Sequence, residues 1–276
     1  MAALILALIV AAPVVASGAA LAGAAVVAQK VTLTSDGLSL EAFLYKPDGD
    51  GPFPALIWNH GSEQHPDAGA QFDSVAAIFV PAGYVVFAPV RRGHGHSQGR
   101  YIVDEIRFAR LRGGREDAAY TAVRLLATEQ LADQLAGLAY VKQQPFVDAT
   151  RIAVAGCSFG GIETLLGAAS GVGYKAAISI SPAAQSWDGN TYLQERLIEV
   201  VRRIDVPVLL LQPAKDASLA PSRVLGKAAA QAGKPLTAKV YPATGPREEQ
   251  KHCFGGAKGM HVWAEDAKAF LAAQLP

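Results

Sequence analysis

The chain has 276 residues, 51% of them hydrophobic and 18% charged, with 25 Lys and Arg against 24 Asp and Glu. Such a length holds one large α/β domain or two small ones, with ample core. A formal net charge of +1 argues against a polyanion-binding surface, because nucleic-acid binders use a basic excess to release counterions from phosphate. No nucleic-acid partner is expected.

The apolar excess is concentrated at the start. Residues 1–29 contain no Asp, Glu, Lys, Arg or His, and 24 of the first 28 belong to the hydrophobic set. The apolar run 4–10 followed by small residues has the form of an export signal. Ala22-Gly23-Ala24 or Val26-Val27-Ala28 would suit a peptidase that requires small side chains. No Lys or Arg follows Met1 directly. Three readings stand: a cleaved leader whose true start lies upstream, an uncleaved membrane anchor, and a buried N-terminal helix. The first is the expectation. It places residues 1–28 in a signal peptide and 29–276 in one domain, exported to the periplasm or secreted, with a membrane anchor as the alternative. No later segment is long and uncharged enough to span a bilayer, so no stable membrane insertion is expected once the leader is removed.

Residues 31–35 and 38–45 read as a hairpin closed at Asp36-Gly37, a dipeptide that tolerates positive φ. Beyond it, short apolar runs at 55–58, 84–89, 151–155, 176–180, 206–211 and 237–241 alternate with stretches of helical period. Helices are expected over 69–81, 117–144, 159–170, 191–204, 221–232 and 262–274. Uninterrupted apolar runs bounded by turn residues are the mark of strands buried on both faces, so the expected fold is α/β, a mostly parallel central sheet with helices on both faces. Only 183–205 is a large enough insertion to cap the sheet, and it amounts to little more than one helix.

The strongest chemical signal is Gly156-Cys157-Ser158-Phe159-Gly160-Gly161, set between an expected strand and an expected helix. In a G-x-S-x-G turn the serine takes strained geometry, the glycines remove side chains that would collide, and Oγ projects from the sheet's carboxyl edge at a helix N-terminus. A serine nucleophile needs a base, and the base an orienting acid, both following it along the chain in this arrangement. Asp216 lies directly beyond the strand 206–211, at the carboxyl end where ligands bind; Asp205 precedes that strand and lies at the wrong edge. Two histidines compete for the base. His252 follows the last strand through a loop, whereas His261 opens the last helix; His252 is the better placed. Backbone N–H groups of Ser62, after the strand 55–58, and of Phe159 are the expected oxyanion donors.

Gly93, Gly95 and Gly99 do not make a dinucleotide fingerprint, since the third glycine comes one residue late. His60, His94 and His96 are expected to orient loops rather than ligate metal. With two cysteines and neither a C-x-x-C nor an H-E-x-x-H pattern, no metal site is expected. Cys157 and Cys253 border Ser158 and His252, and free buried thiols are the expectation for both. Tyr101, Trp187 and Tyr192 are expected to shape the substrate pocket.

These residues resemble the dienelactone hydrolase-like branch of the α/β-hydrolase superfamily. The resemblance runs over residues 31–275 and rests on Asn59-His60-Gly61-Ser62, on residues 92–97 and 151–161, on Leu211-Gln212-Pro213-Ala214-Lys215-Asp216, and on Tyr241-Pro242 leading to His252. It implies the α/β-hydrolase fold with a minimal cap and hydrolysis of a small-molecule ester or lactone without a cofactor. It also strengthens His252 over His261. The dienelactone hydrolases proper place cysteine where this chain has Ser158, so the serine carboxylesterase type is implied, and Glu63 is not assigned that branch's thiol-controlling role. The alternatives are a serine peptidase of the prolyl-oligopeptidase type and a non-catalytic binding protein on the same fold.

Overall fold

The computed structural model describes residues 26–68 and 70–276. Asp36 and Gly37, at φ of 48° and 79°, fold β1 (Gln29–Ser35) back on β2 (Leu38–Tyr45), with Ser35 opposite Leu38. Positive φ at both central residues matches the twist of the flanking strands. β2 also runs antiparallel to β4 (Val85–Pro89). Every later pairing is parallel: β3 (Phe53–Asn59) with β4 and with β5 (Val147–Cys157), then β6 (Ala176–Ile180), β7 (Val208–Pro213) and β8 (Leu236–Tyr241) in succession.

The sheet order is β1-β2-β4-β3-β5-β6-β7-β8. Chain order reverses at β3, so the connections after β3 and β5 leave the carboxyl edge side by side, at the switch point where open α/β sheets hold ligands. β4 and β6 are buried at every position, as strands covered on both faces must be. α1 (Gln71–Phe79) and α7 (His261–Gln274) cover one face. There Trp263 lies 6.3 Å from Trp58 and 6.4 Å from Phe79 between ring centroids. The other face is covered by α2 (Ile102–Leu125), α3 (Leu131–Lys142), α4 (Phe159–Ala168), α5 (Thr191–Val201) and α6 (Ala220–Gln231).

Two expectations are corrected. The helix expected over 117–144 begins at Ile102 and is divided by a π-helical turn, Leu126–Gln130. Its first half carries Arg107, Arg110, Arg112 and Arg115, leaves Phe108 and Leu111 exposed, and contains Gly113-Gly114, so no apolar stripe announces it. Gly114, at φ 80° and ψ −158°, kinks the axis. The segment 183–205 is not a cap: α5 is the crossover from β6 to β7 and packs on α4 and α6. The start of α2 reaches the carboxyl edge instead, where Tyr101 donates its hydroxyl to Ser62 O. Of the expected leader, residues 1–25 lie outside the described residues, while Val26 and Ala28 pack against the core on the α1 and α7 side. Among the described residues no helix is long and apolar enough to cross a membrane.

Candidate active site

β5 passes into α4 with no intervening loop, and the reversal is concentrated in Ser158, at φ 60° and ψ −119°. A left-handed serine costs about 1–3 kcal/mol, so the surroundings must hold it. Ser158 N–H donates to Ile180 O on β6 at 3.0 Å, and Ser158 O accepts from Ile162 N–H. Packing on both sides demands glycine: a Cβ on Gly156 would lie 2.5 Å from Gly160 O, and one on Gly160 would enter Asn59 O at the end of β3.

Asp216 stands three residues beyond β7, its side chain wholly buried. Ala217 N–H donates to Oδ1 at 2.8 Å and Gln212 Nε2 to Oδ2 at 3.0 Å; Gln212 Oε1 in turn accepts from the Ser222 hydroxyl. Burial alone would raise the Asp216 pKa. The hydrogen bond and charge of His252, with the Ser181 and Gln212 hydrogen bonds, outweigh it and hold the carboxyl below its usual range.

His252 Nδ1 lies 2.8 Å from Asp216 Oδ1. A carboxylate acceptor there puts the proton on Nδ1 and leaves Nε2 as the acceptor nitrogen. Nε2 is buried without a partner among the described residues. The loop carrying His252 runs from β8 to α7 and bends sharply after it, with Cys253 and Phe254 at φ 54° and 56°; Phe254 is buried edge-on against Tyr241. His261 heads α7, exposed, beside Glu249.

The expectation of free thiols is overturned: Cys157 and Cys253 form a disulfide. The turn carrying Ser158 and the loop carrying His252 meet at one edge and bring the two Cα atoms to 6.0 Å, within bridging reach, although 96 residues separate them.

The loop after β3 crosses in front of Ser158, where a Cβ on Gly61 would lie 3.6 Å from Ser158 Cβ. Neither Ser62 N–H nor Phe159 N–H has an acceptor among the described residues. His60 and His94 are both fully buried, their rings 4.6 Å apart. Burial, then the charge of Arg91, holds His94 down to about 3, and the same causes hold His60 well below the usual imidazole value. His94 Nδ1 contacts Arg92 O at 3.0 Å, while His96 is exposed beside Asp67. Among the described residues no group of three or more His, Cys, Asp or Glu side chains could hold a metal.

Ser62, Glu63, Gln71, Ser158, Gln185 and His252 line a cleft of about 340 Å³. The expected pocket aromatics do not. Trp187 is in the core with Leu193 and Leu197, Tyr192 donates its hydroxyl to Glu116 against the Tyr120 ring, and Tyr101 stands behind Ser62. Glu63, Gln71 and Gln185 reach the cleft from loops and a helix start, positions without periodicity to reveal them.

A family profile described as X-Pro dipeptidyl-peptidase (S15 family) matches residues 36–253. No curated protein matches the sequence. Among solved structures, the esterase Pf2001 from Pyrococcus furiosus is similar at a TM-score of 0.68 and 15% identity, over 91% of this chain and 94% of that one. A Klebsiella pneumoniae protein described as a dienelactone hydrolase is similar at 0.65 and 20%, over 91% and 98%. An acylaminoacyl peptidase from Pyrococcus horikoshii is similar at 0.65 and 16%, over 91% of this chain but 42% of its own. The fold is therefore the α/β-hydrolase fold.

Proposed function

This chain belongs to the X-Pro dipeptidyl-peptidase (S15) family, within the α/β-hydrolase superfamily, and from that premise we propose that it is a serine hydrolase cleaving carboxylic esters through Ser158, His252 and Asp216. The observation carrying this reading is the 2.8 Å Asp216–His252 contact, whose histidine lines one cleft with a serine held at φ 60°. His252 Nε2 takes the Ser158 proton, Oγ attacks the carbonyl, and the N–H groups of Ser62 and Phe159 receive the oxyanion, the latter aided by the α4 dipole. His252 returns the proton to the leaving alcohol, and water repeats the sequence on the acyl-enzyme. Asp216, held ionised, fixes the Nδ1–H tautomer and balances the imidazolium.

Cleavage of peptides after an N-terminal dipeptide is a second reading. It is favoured by the family's description and by Glu63, a carboxylate at the cleft that would attract a substrate ammonium. Short p-nitrophenyl esters against X-Pro p-nitroanilides separate the two. Wild type is expected to turn over the esters faster and to label with a fluorophosphonate. Ser158→Ala is expected to lose labelling and at least about a thousandfold in kcat. A variant as active as wild type would refute the serine mechanism. Export through a leader cleaved at Ala22-Gly23-Ala24, which spares the Val26 and Ala28 contacts with the core, is part of the same proposal, and the Cys157–Cys253 bond is compatible with an oxidising compartment.

A further inference from the structure

Arg91 and Arg92 follow β4 side by side, and the structure gives them opposite solutions to burial. Arg92 is paired with Asp133 through Nε at 2.9 Å and Nη2 at 2.6 Å, and reaches Asp36 as well. Arg91, fully buried, has no carboxylate within ion-pair distance among the described residues. Its Nη2 donates to Gly61 O at 2.7 Å and its Nε to Gln130 Oε1 at 3.0 Å, Gln130 being presented by the π-helical turn. Glu163, Glu63 and Asp133 act on it only from beyond contact: burial pushes the Glu163 carboxyl well up, and neither of its oxygens has a hydrogen-bond partner among the described residues. A guanidinium buried without a carboxylate in contact is costly.

Gly61 O is approached from a second side. Arg91 N–H donates to His60 Nε2 at 3.1 Å, which places the imidazole proton on Nδ1, and Nδ1 lies 2.9 Å from the same Gly61 oxygen. Burial first, then the neighbouring Arg91 and His94, keep this ring neutral and so keep that tautomer. Two donors, one of them charged, therefore hold the carbonyl of the peptide joining Gly61 to Ser62. A trans peptide is planar and its N–H points opposite to its C=O, so holding Gly61 O fixes the direction of Ser62 N–H. Donors on the oxygen also polarise the unit and deepen the positive end at the N–H. Neither Arg91 nor His60 lines the cleft.

We propose that Arg91, with His60, is a positioning residue that aims and polarises the Ser62 N–H from behind, so that the buried charge acts on the oxyanion through one peptide plane. This rests on the serine-hydrolase reading above, with Ser62 N–H as an oxyanion donor. The test compares wild type with Arg91→Met and Arg91→Lys on p-nitrophenyl acetate, with active sites titrated by a fluorophosphonate and phenylboronic acid as a reversible mimic of the tetrahedral adduct. Removing a direct oxyanion donor costs about a hundredfold to a thousandfold in kcat. A misaimed donor in Arg91→Met is expected to cost about tenfold to a hundredfold per titrated site, with KM within about twofold and boronate affinity weakened by the same factor. Arg91→Lys, which keeps charge and bulk but not the planar fork, is expected to lose about fivefold or more, and it decides the question if Arg91→Met does not fold. A merely structural role would lower the titratable fraction and leave kcat per site unchanged. Wild-type kcat per site in either variant overturns the clamp, whereas wild-type activity in Ser158→Ala overturns the reading beneath it.

Discussion

Replacing both Cys157 and Cys253 by alanine removes a cross-link that closes 96 residues. In the chain-entropy treatment, a loop of that length restrains the unfolded state by about 4.7 kcal/mol. That is a large share of the roughly 5–15 kcal/mol that holds a domain folded. For a domain of this size each kcal/mol moves the midpoint by about 2–4 °C, so a drop of about 10–20 °C is expected. The local effect is separate. The bond joins the residue before Ser158 to the residue after His252, and without it the histidine loop keeps the Phe254 anchor and the Cys253 N–H to Ser181 Oγ contact at 3.2 Å. Activity well below the midpoint should therefore fall mainly in kcat. Thermal unfolding by circular dichroism, with and without dithiothreitol, checks the first effect, and p-nitrophenyl acetate kinetics at about 25 °C the second. Reductant should bring wild type to the variant's midpoint and leave the variant unmoved. A variant melting within about 2 °C of wild type, or one that reductant lowers equally, would refute the reasoning.

Ser158→Gly should be more stable than Ser158→Ala by about 1 kcal/mol, because glycine occupies φ 60° without the Cβ penalty that alanine retains; equal denaturant midpoints would sink the claim of strain. Glu163 makes a pH-dependent prediction. Its carboxyl is raised well above the usual value by burial, so the folded state keeps a proton that the unfolded chain releases above about pH 4.3. Stability then falls as pH climbs past that value. Glu163→Gln cannot ionise and should gain on wild type between about pH 5 and pH 8; urea midpoints differing by a constant amount at both would contradict the buried neutral carboxyl.

The alternation of strands and helices was legible because β4 and β6 are buried at every position and so read as unbroken apolar runs. The first half of α2 was not, since four arginines and an exposed Phe108 and Leu111 carry no helical stripe. Ser158 stood out through local demands on the chain: glycines where Gly160 O and Asn59 O approach, and a serine at the turn between them. Asp216 and His252 follow strand ends, and the structure places them in contact. The cysteine pair was legible only as two neighbours of those residues, because bridging depends on a Cα separation that spacing along the chain does not contain. Trp187 is ambiguous in the sequence because an aromatic after β6 fits a pocket wall and a core equally well; its burial with Leu193 and Leu197 decides for the core.

Arg91 and Arg92 show where local reading stops in physical terms. As consecutive residues with the same side chain after a buried strand, they are equivalent to any argument from composition or period. Their difference lies in what waits at each site: Asp133, 41 residues on, meets Arg92, while Gly61 O, 30 residues back, meets Arg91. A buried arginine that has a carboxylate is accounted for by that carboxylate. One whose charge ends on a backbone carbonyl instead has its effect on the other end of the peptide, and here that end is the N–H beside Ser158.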